Sequence, residues 1–361
     1  MNNIFLKQPE KLFLRLSLRD KILFFKQLSI LMRAGIPLFS SLKMLKDQAR
    51  SSSMAKIVKQ VILDVENGQY LATAIGKFRK VFGDLAVNII AVGEISGTLS
   101  DNLDHLAAAL KKQQSLRQKI ISASVYPVFI FIATLLITIM LTVFFFPKVI
   151  PVLKSINYQL PWTTRFLIFI SDSLKNHGLS IGLSVITLII LVFFLLKIKK
   201  IHFWYDKTLL YVPIIKKLMQ AYNIANMTRT LGLLLNSGVG IVKGFHIASD
   251  TTANLVYRKE LIKIADEILK GEKIFSHMKK RPELFPAMMT QMIMVGENSG
   301  KLSETFLYIC HIYEEEMDNM TKNLSTAVEP LLLILMGILV GFIAVSIITP
   351  IYGITQHLKP Y

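Results

Sequence analysis

Two short stretches of this chain carry the residue types of a reactive loop. Val92 to Ser100 reads VGEISGTLS and Val295 to Ser303 reads VGENSGKLS, identical at seven of nine positions. Each pairs glycines (Gly93 and Gly97; Gly296 and Gly300) with a carboxylate (Glu94; Glu297) and a hydroxyl (Ser96; Ser299). Such a set could cradle a phosphate or hold a general base. Phosphate binding fails on spacing. A P-loop needs four residues between its first glycine and a Gly-Lys pair followed by Ser or Thr, whereas three residues separate Gly296 from Gly300 and Leu302 follows Lys301. Metal and nucleophile chemistry fare no better. The seven histidines (105, 177, 202, 246, 277, 311, 357) show no H-E-x-x-H spacing and none recurs between the two stretches, so they read as ordinary surface or partly buried residues. The single Cys310 excludes an intramolecular disulfide and a cysteine-based metal site. No catalytic, metal or cofactor site is therefore expected. The nonapeptides read instead as packing corners. Glycine permits a positive φ and a close helix approach, Ser100 or Ser303 would cap the next helix, and Asp101 or Glu304 would sit at its positive end. Glu94 and Glu297 are not needed for that geometry and could pair with a partner's Lys or Arg or with a basic residue of their own bundle.

The elements that position these corners are duplicated with them. The stretches lie 203 residues apart, and the same offset pairs Leu28 with Leu231, Leu31 with Leu234, Gly35 with Gly238, Lys56 with Lys259, Gly68 with Gly271, Phe82 with Phe285 and Pro127 with Pro330. A constant register over about a hundred positions marks duplication of a whole structural unit. Within it the apolar spacing is helical. Leu28 and Leu31 lead to a stop at Gly35, and Pro37 restarts a helix with Leu38, Leu42 and Leu45. Met54, Ile57, Val58, Val61, Ile62 and Val65 line one face before Asn67 and Gly68 end the next helix. About six helices per unit follow, and a long helix from near Ser100 would reach about 70 Å if unbroken to Phe146. Pro127 would then kink that rod or open a separate span.

More than half of the 361 residues are apolar, and three stretches are uncharged over membrane length: Ile120–Pro147, Gly178–Leu196 and Pro330–Ile348. Core helices seldom lack a polar stripe over such runs, which disfavours burial in a soluble core. The middle span has no partner in the repeat. If each unit is a bundle followed by one span, the chain must recross once before the second unit can fold on the same side. Charge agrees: residues 1–123 carry 19 basic and 9 acidic side chains, residues 197–322 carry 18 and 13, and residues 148–178 carry 4 and 1. The N-terminus lacks a recognisable cleavage site and is expected to stay attached and cytoplasmic. Basic clusters beside spans meet anionic headgroups, so nucleic acid is not an expected partner. Glu329 at the edge of the third span could serve a proton relay, but its boundary position and Tyr126 at the matching place of the first unit count against that.

The reading is an all-α membrane protein with two repeated cytoplasmic six-helix bundles and three transmembrane helices. It divides into an N-terminal segment (1–19), a first bundle (20–122), a span (123–147), a periplasmic loop (148–178), a span (179–196), a second bundle (197–326), a span (327–349) and a periplasmic tail (350–361).

The residues resemble a known family, the inner-membrane platform proteins of type IV pilus and type II secretion machines. The likeness rests on FFKQLSILMRAGIPLFSSLKML at 24–45, the paired VGEISGTL and VGENSGKL, VYP and VEP opening the outer spans, and LPWTTRFLIFISD at 160–172. It implies a non-enzymatic scaffold in the bacterial inner (cytoplasmic) membrane, with bundles that tend to pair into a homo-oligomer. Its implied partners are a cytoplasmic assembly ATPase, pilin or pseudopilin subunits, other inner-membrane assembly proteins and the lipid bilayer. Gly240 stands where the first unit has Pro37, which questions equal roles for the two bundles. A small parallel-repeat transporter is the alternative, weakened by the few spans, and Gly337 and Gly341 read better as a helix-pairing face. An enzyme of lipid metabolism lacks any catalytic constellation.

Overall fold

The computed structural model describes residues 14–49, 51–145, 147, 148, 151, 161–211 and 213–357. Residues 1–13, most of 149–160 and the last four residues lie outside the described set, as does Leu160 at the start of the family-like stretch.

The first repeat begins at Ser17, whose Oγ accepts the Asp20 N–H at 3.1 Å while the Asp20 carboxylate accepts the Ser17 N–H, a capping box that starts α1 (Leu18–Arg33). Then follow α2 (Leu38–Asp47), α3 (Ser52–Glu66), α4 (Leu71–Gly76), the single turn α5 (Arg79–Phe82), α6 (Asp84–Ser96) and α7 (Leu99–Met140). The apolar stripe read for α3 is its buried face: Ile57, Val58 and Val61 are fully buried in the core that also holds the edge-on and tilted rings of Phe24, Phe25 and Phe82. Pro127 lies inside α7. It therefore opens no separate helix, and the helix continues through it to a π turn at Leu141–Phe145.

A connecting pair, α8 (Trp162–Leu195) and α9 (Lys199–Leu209), leads to the second repeat: α10 (Pro213–Asn236), α11 (Ile241–Thr251), α12 (Leu255–Leu269), α13 (Ile274–Lys279), α14 (Ala287–Asn298) and α15 (Leu302–His357). The first residues of α2, α3, α4, α6 and α7 recur 203 positions later as those of α11, α12, α13, α14 and α15. The four-residue α5 has no helical counterpart; residues 282–285 there are turns. Gly240 does not alter its corner. It holds φ −58° and ψ 146° against −55° and 145° at Pro37, so a glycine has taken the proline backbone and α11 starts as α2 does.

The chain forms two compact units. One joins the residues up to Gln118 with Phe203–Asp318 and holds both bundles; the other joins Lys119–His202 with the chain from Asn319 onward. In the first unit α6 lies against α10 and α11, and the core of the first repeat continues without a break into Leu233, Leu234, Val239 and Ile247 of the second.

Among the described residues two helices are long and apolar enough to cross a membrane, Leu99–Phe145 and Trp162–Leu195, and a shorter apolar helical stretch covers Leu333–Ser346. The expected loop at 148–178 is largely helix from Trp162 onward. Scattered charges (Arg165, Asp172, Lys175) hid an apolar face: Leu167 packs with Phe342 and Ile343, the Thr164 hydroxyl donates to the Ser346 carbonyl at 2.8 Å, and the Ser171 hydroxyl to the Thr142 carbonyl at 2.9 Å. His177, with non-helical φ −125°, bends α8 where the expected second span begins. Glu329 and Pro330 belong to α15, the Glu329 side chain lying outside the described residues. A Cβ on Gly337 or Gly341 would meet no described atom within 4 Å.

Candidate functional site

The duplicated nonapeptides form two helix–helix corners, α6 to α7 and α14 to α15. Two residues separate α6 from α7 and three separate α14 from α15, so Gly93 and Gly296 lie within the incoming helix and not in the connection. Their task is proximity. A Cβ on Gly93 would sit 2.9 Å from the Leu99 backbone, and one on Gly296 would sit 2.8 Å from the Thr305 Cβ. Gly97 and Gly300 turn the chain with φ 72° and 70°, a left-handed conformation that costs any residue with a Cβ. The Lys301 N–H closes the second corner on the Gly296 carbonyl at 2.8 Å, the bond of a Schellman motif. Ser96 donates to the Val92 carbonyl at 2.8 Å and Ser299 to the Gly296 carbonyl at 3.4 Å, both local.

Ser100 and Ser303 do not cap. The outgoing helices already include them, and both are used across the bundle: the Ser29 hydroxyl donates to the Ser100 carbonyl at 2.7 Å, and the Ser303 hydroxyl donates to the Gly232 carbonyl at 3.0 Å. Residues 29 and 232 are repeat equivalents, as are 100 and 303. One crossing contact is thus kept in both copies with the donating side chain on opposite helices.

The two carboxylates also have a task that the corner geometry alone does not require. Glu94 accepts the backbone N–H groups of Leu71 and Ala72 at 2.5 and 2.7 Å, and Glu297 those of Ile274 and Phe275 at 2.9 and 3.3 Å. Among the described residues neither forms an ion pair, their oxygens being taken by these backbone groups. Each closes the N-terminus of a short helix, α4 or α13, whose own N-cap residue, Tyr70 or Lys273, offers no side-chain acceptor. A negative group there satisfies orphan donors and complements the helix dipole. The signal was present in the sequence: two helix starts lacking Ser, Thr, Asp or Asn, each preceding a recurring glutamate by the same interval.

Beyond the corners the repeats differ in what they bury. The first places Ile57, Ala74 and Phe78 where the second places Glu260, His277 and Arg281. His277 is buried, against the surface or partly buried reading, with Nδ1 2.6 Å from Glu267 and Nε2 3.0 Å from Glu260. Burial pushes the Glu260 carboxyl up, but hydrogen bonds from His277 and Lys263 outweigh it and hold it below the usual carboxylate range. A second buried set joins Arg229 to Glu314, with Cys310 beside them. Burial pushes the Cys310 thiol up to about 12, so it stays protonated and is a poor nucleophile at neutral pH. Lys112 also lies 3.6 Å from Glu314, and among the described residues no group of three His, Cys, Asp or Glu side chains could hold a metal ion.

This architecture, two matching helical bundles each followed by a long helix that runs into apolar sequence, has a counterpart among known proteins. The chain matches the family described as "Type II secretion system (T2SS), protein F" twice, over residues 24–147 and 227–350. The chain belongs to this family. The two family matches begin 203 residues apart, the interval of the corners, so each protein F repeat contains one corner and one apolar helix. Curated relatives carry both pilus and secretion names. The chain is 33% identical to the type IV pilus assembly protein PilC of Thermus thermophilus, covering 95% of this chain and 84% of that protein. It is 30% identical to PilC of Pseudomonas aeruginosa (92% and 89% covered) and 29% identical to the type II secretion system protein F of Vibrio cholerae (93% and 82% covered). Membership in the protein F family and the apolar helices together make this a membrane protein of the pilus and secretion class.

Proposed function

We propose that the chain is a non-enzymatic platform of a type IV pilus or type II secretion machine, multi-pass in the bacterial inner membrane with both bundles and the N-terminus in the cytoplasm. It couples a cytoplasmic assembly ATPase to the entry of pilin or pseudopilin subunits into a filament. The observation that supports this reading is that, among the described residues, the distinctive buried and half-buried polar groups of the two corners and of the second bundle form their bonds within the bundles. Glu94 and Glu297 hold helix starts, His277 is clasped between two carboxylates, and Arg229 meets Glu314. The last helix of each repeat, α7 or α15, starts at its corner and runs into apolar sequence, at 1.5 Å per residue about 63 Å and about 84 Å of helix. A stiff helix of that length transmits displacement.

The test is a deletion strain complemented with the wild-type gene. Loss of surface filaments or of secretion on deletion, with recovery of the assembly ATPase on the tagged protein, is the expected result. Filaments that still assemble without the protein, or ATP hydrolysis by the purified protein alone, would overturn the reading. Orientation is checked with a membrane-impermeant amine reagent on the exposed repeat pair Lys56 and Lys259. Both should be shielded in intact spheroplasts and labelled in inverted vesicles.

A further inference from the structure

The two bundles of one chain meet through unlike faces. Helix α6 of the first repeat covers α10 and α11 of the second, with a Cβ on Gly238 touching Val92 at 3.9 Å, and α7 extends the contact: the Ser237 hydroxyl lies 3.3 Å from Asn102 Oδ1, and Lys112 lies 3.6 Å from Glu314 of α15 at the rim. Such a contact is heterologous, and duplication makes it repeatable. Each repeat carries both faces, so one chain uses two and leaves two open.

The open faces are the repeat equivalents of the closed ones. Ile30 is 53% exposed where Leu233 is 8%, and Met44 is 42% exposed where Ile247 is 5%. On the other side Val295 is 63% exposed where Val92 is partly buried, and with Met288, Met292 and Tyr308 it lines an open hollow. Flexible methionines suit a face that must accept a partner. The rim charges match as well. The positions equivalent to Lys112 and Glu314 are Glu315 and Lys111, reversed in sign but still opposite.

We propose that a second copy of this chain docks head to tail, the α14 face of one copy covering the α1–α2 face of the next, as α6 covers α10–α11 within each copy. The assembly is then a succession of bundles joined by one repeated contact, alternately within and between chains. Two exposed apolar patches are closed by one contact, and the surface each needs is already encoded. This inference stands on the bundle faces and does not depend on the machine assigned above.

The test uses the full-length protein in native membranes, with two differently tagged forms co-expressed. Ala34 and Thr305 are the equivalents of Ser237 and Asn102, so Ala34→Cys on one form and Thr305→Cys on the other should join on oxidation into a disulfide-linked heterodimer. The buried Cys310 stays in place. Lys111→Glu on the Ala34→Cys form should lower the yield about two- to fivefold, as for an exposed ion pair, and Glu315→Lys on the partner form should restore it. The paired variant Asn102→Cys with Ser237→Cys should close within one chain. Overturning results are an Ala34→Cys form that cross-links only to itself, no heterodimer while the internal pair closes, or failure of the internal pair as well, since the repeated contact would then not exist. Equal loss from Lys111→Glu with and without Glu315→Lys would equally refute the proposed facing of the two copies.

Discussion

Replacing Glu94 by alanine removes the acceptor from two helix-start N–H groups at once. A hydrogen bond to a charged group contributes about 1.5–3 kcal/mol, and two that share one carboxylate do not add in full, so the pair at Leu71 and Ala72 stands for about 2–4 kcal/mol of local stability. At 1.4 kcal/mol per decade, opening of α4 should become about 30- to 700-fold more frequent. Hydrogen exchange followed by mass spectrometry on the full-length protein in detergent reads this directly. The peptide containing residues 69–78 should exchange faster by that factor, while the peptide covering 272–281, held by Glu297, should not change. Glu297→Ala should show the mirror result. Glutamine is the sharper variant. It keeps the length and one acceptor but turns an NH₂ toward the second N–H, so it should recover less than half of the protection. If instead the glutamates existed to meet a partner's Lys or Arg, neither substitution would alter exchange in the purified protein. Unchanged protection at 69–78 in Glu94→Ala would refute the capping account.

Three further outcomes follow from the same geometry. Gly240→Pro should stabilise the protein by about 0.4–1 kcal/mol in chemical denaturation, because the glycine already holds the proline φ and loses excess unfolded freedom. Gly97→Val or Gly300→Val should destabilise by about 1–2 kcal/mol, since both sit at positive φ, and unchanged denaturation midpoints would show the corner is not strained by a Cβ. Stability of the bundles should fall as pH drops below about 4.5. Glu260 and Glu314 are held below their ordinary values when folded, so their contribution is present above the unfolded value and is lost as they protonate. In Glu260→Gln the stability at pH 6 should be lower and its decline toward pH 3 shallower.

The repeat register, the helix ends and the apolar face of α3 were all legible in the sequence, because each depends on neighbours within a few residues or on self-comparison at one offset. Gly97 could be read as a turn for the same reason. Glu94 could not be assigned its partners, because its contact joins the end of α6 to the start of α4, and tertiary proximity decides it. Ser100 looked like a cap because a hydroxyl after a glycine usually is one, but the helix begins one residue earlier and Ser29 claims its carbonyl. The stretch from Trp162 was hidden by its charges, whose apolar face becomes evident only once Phe342 lies against it. His277 was invisible as a core residue because its companions Glu260 and Glu267 come from another helix.

The crossing between residues 29 and 100, and between 232 and 303, has a consequence for how these copies can be recombined. In one copy the hydroxyl that makes the bond belongs to the entering helix, in the other to the departing helix. Grafting α1 onto the second bundle would place Ser29 opposite Ser303, two hydroxyls where one suffices, and would crowd the position where bare Gly232 leaves room for Leu307. The reverse graft would leave the crossing with its glycine in place and the tie dependent on Ser100 alone. Entering and departing helices have therefore diverged as matched sets, and a working chimera has to inherit them together.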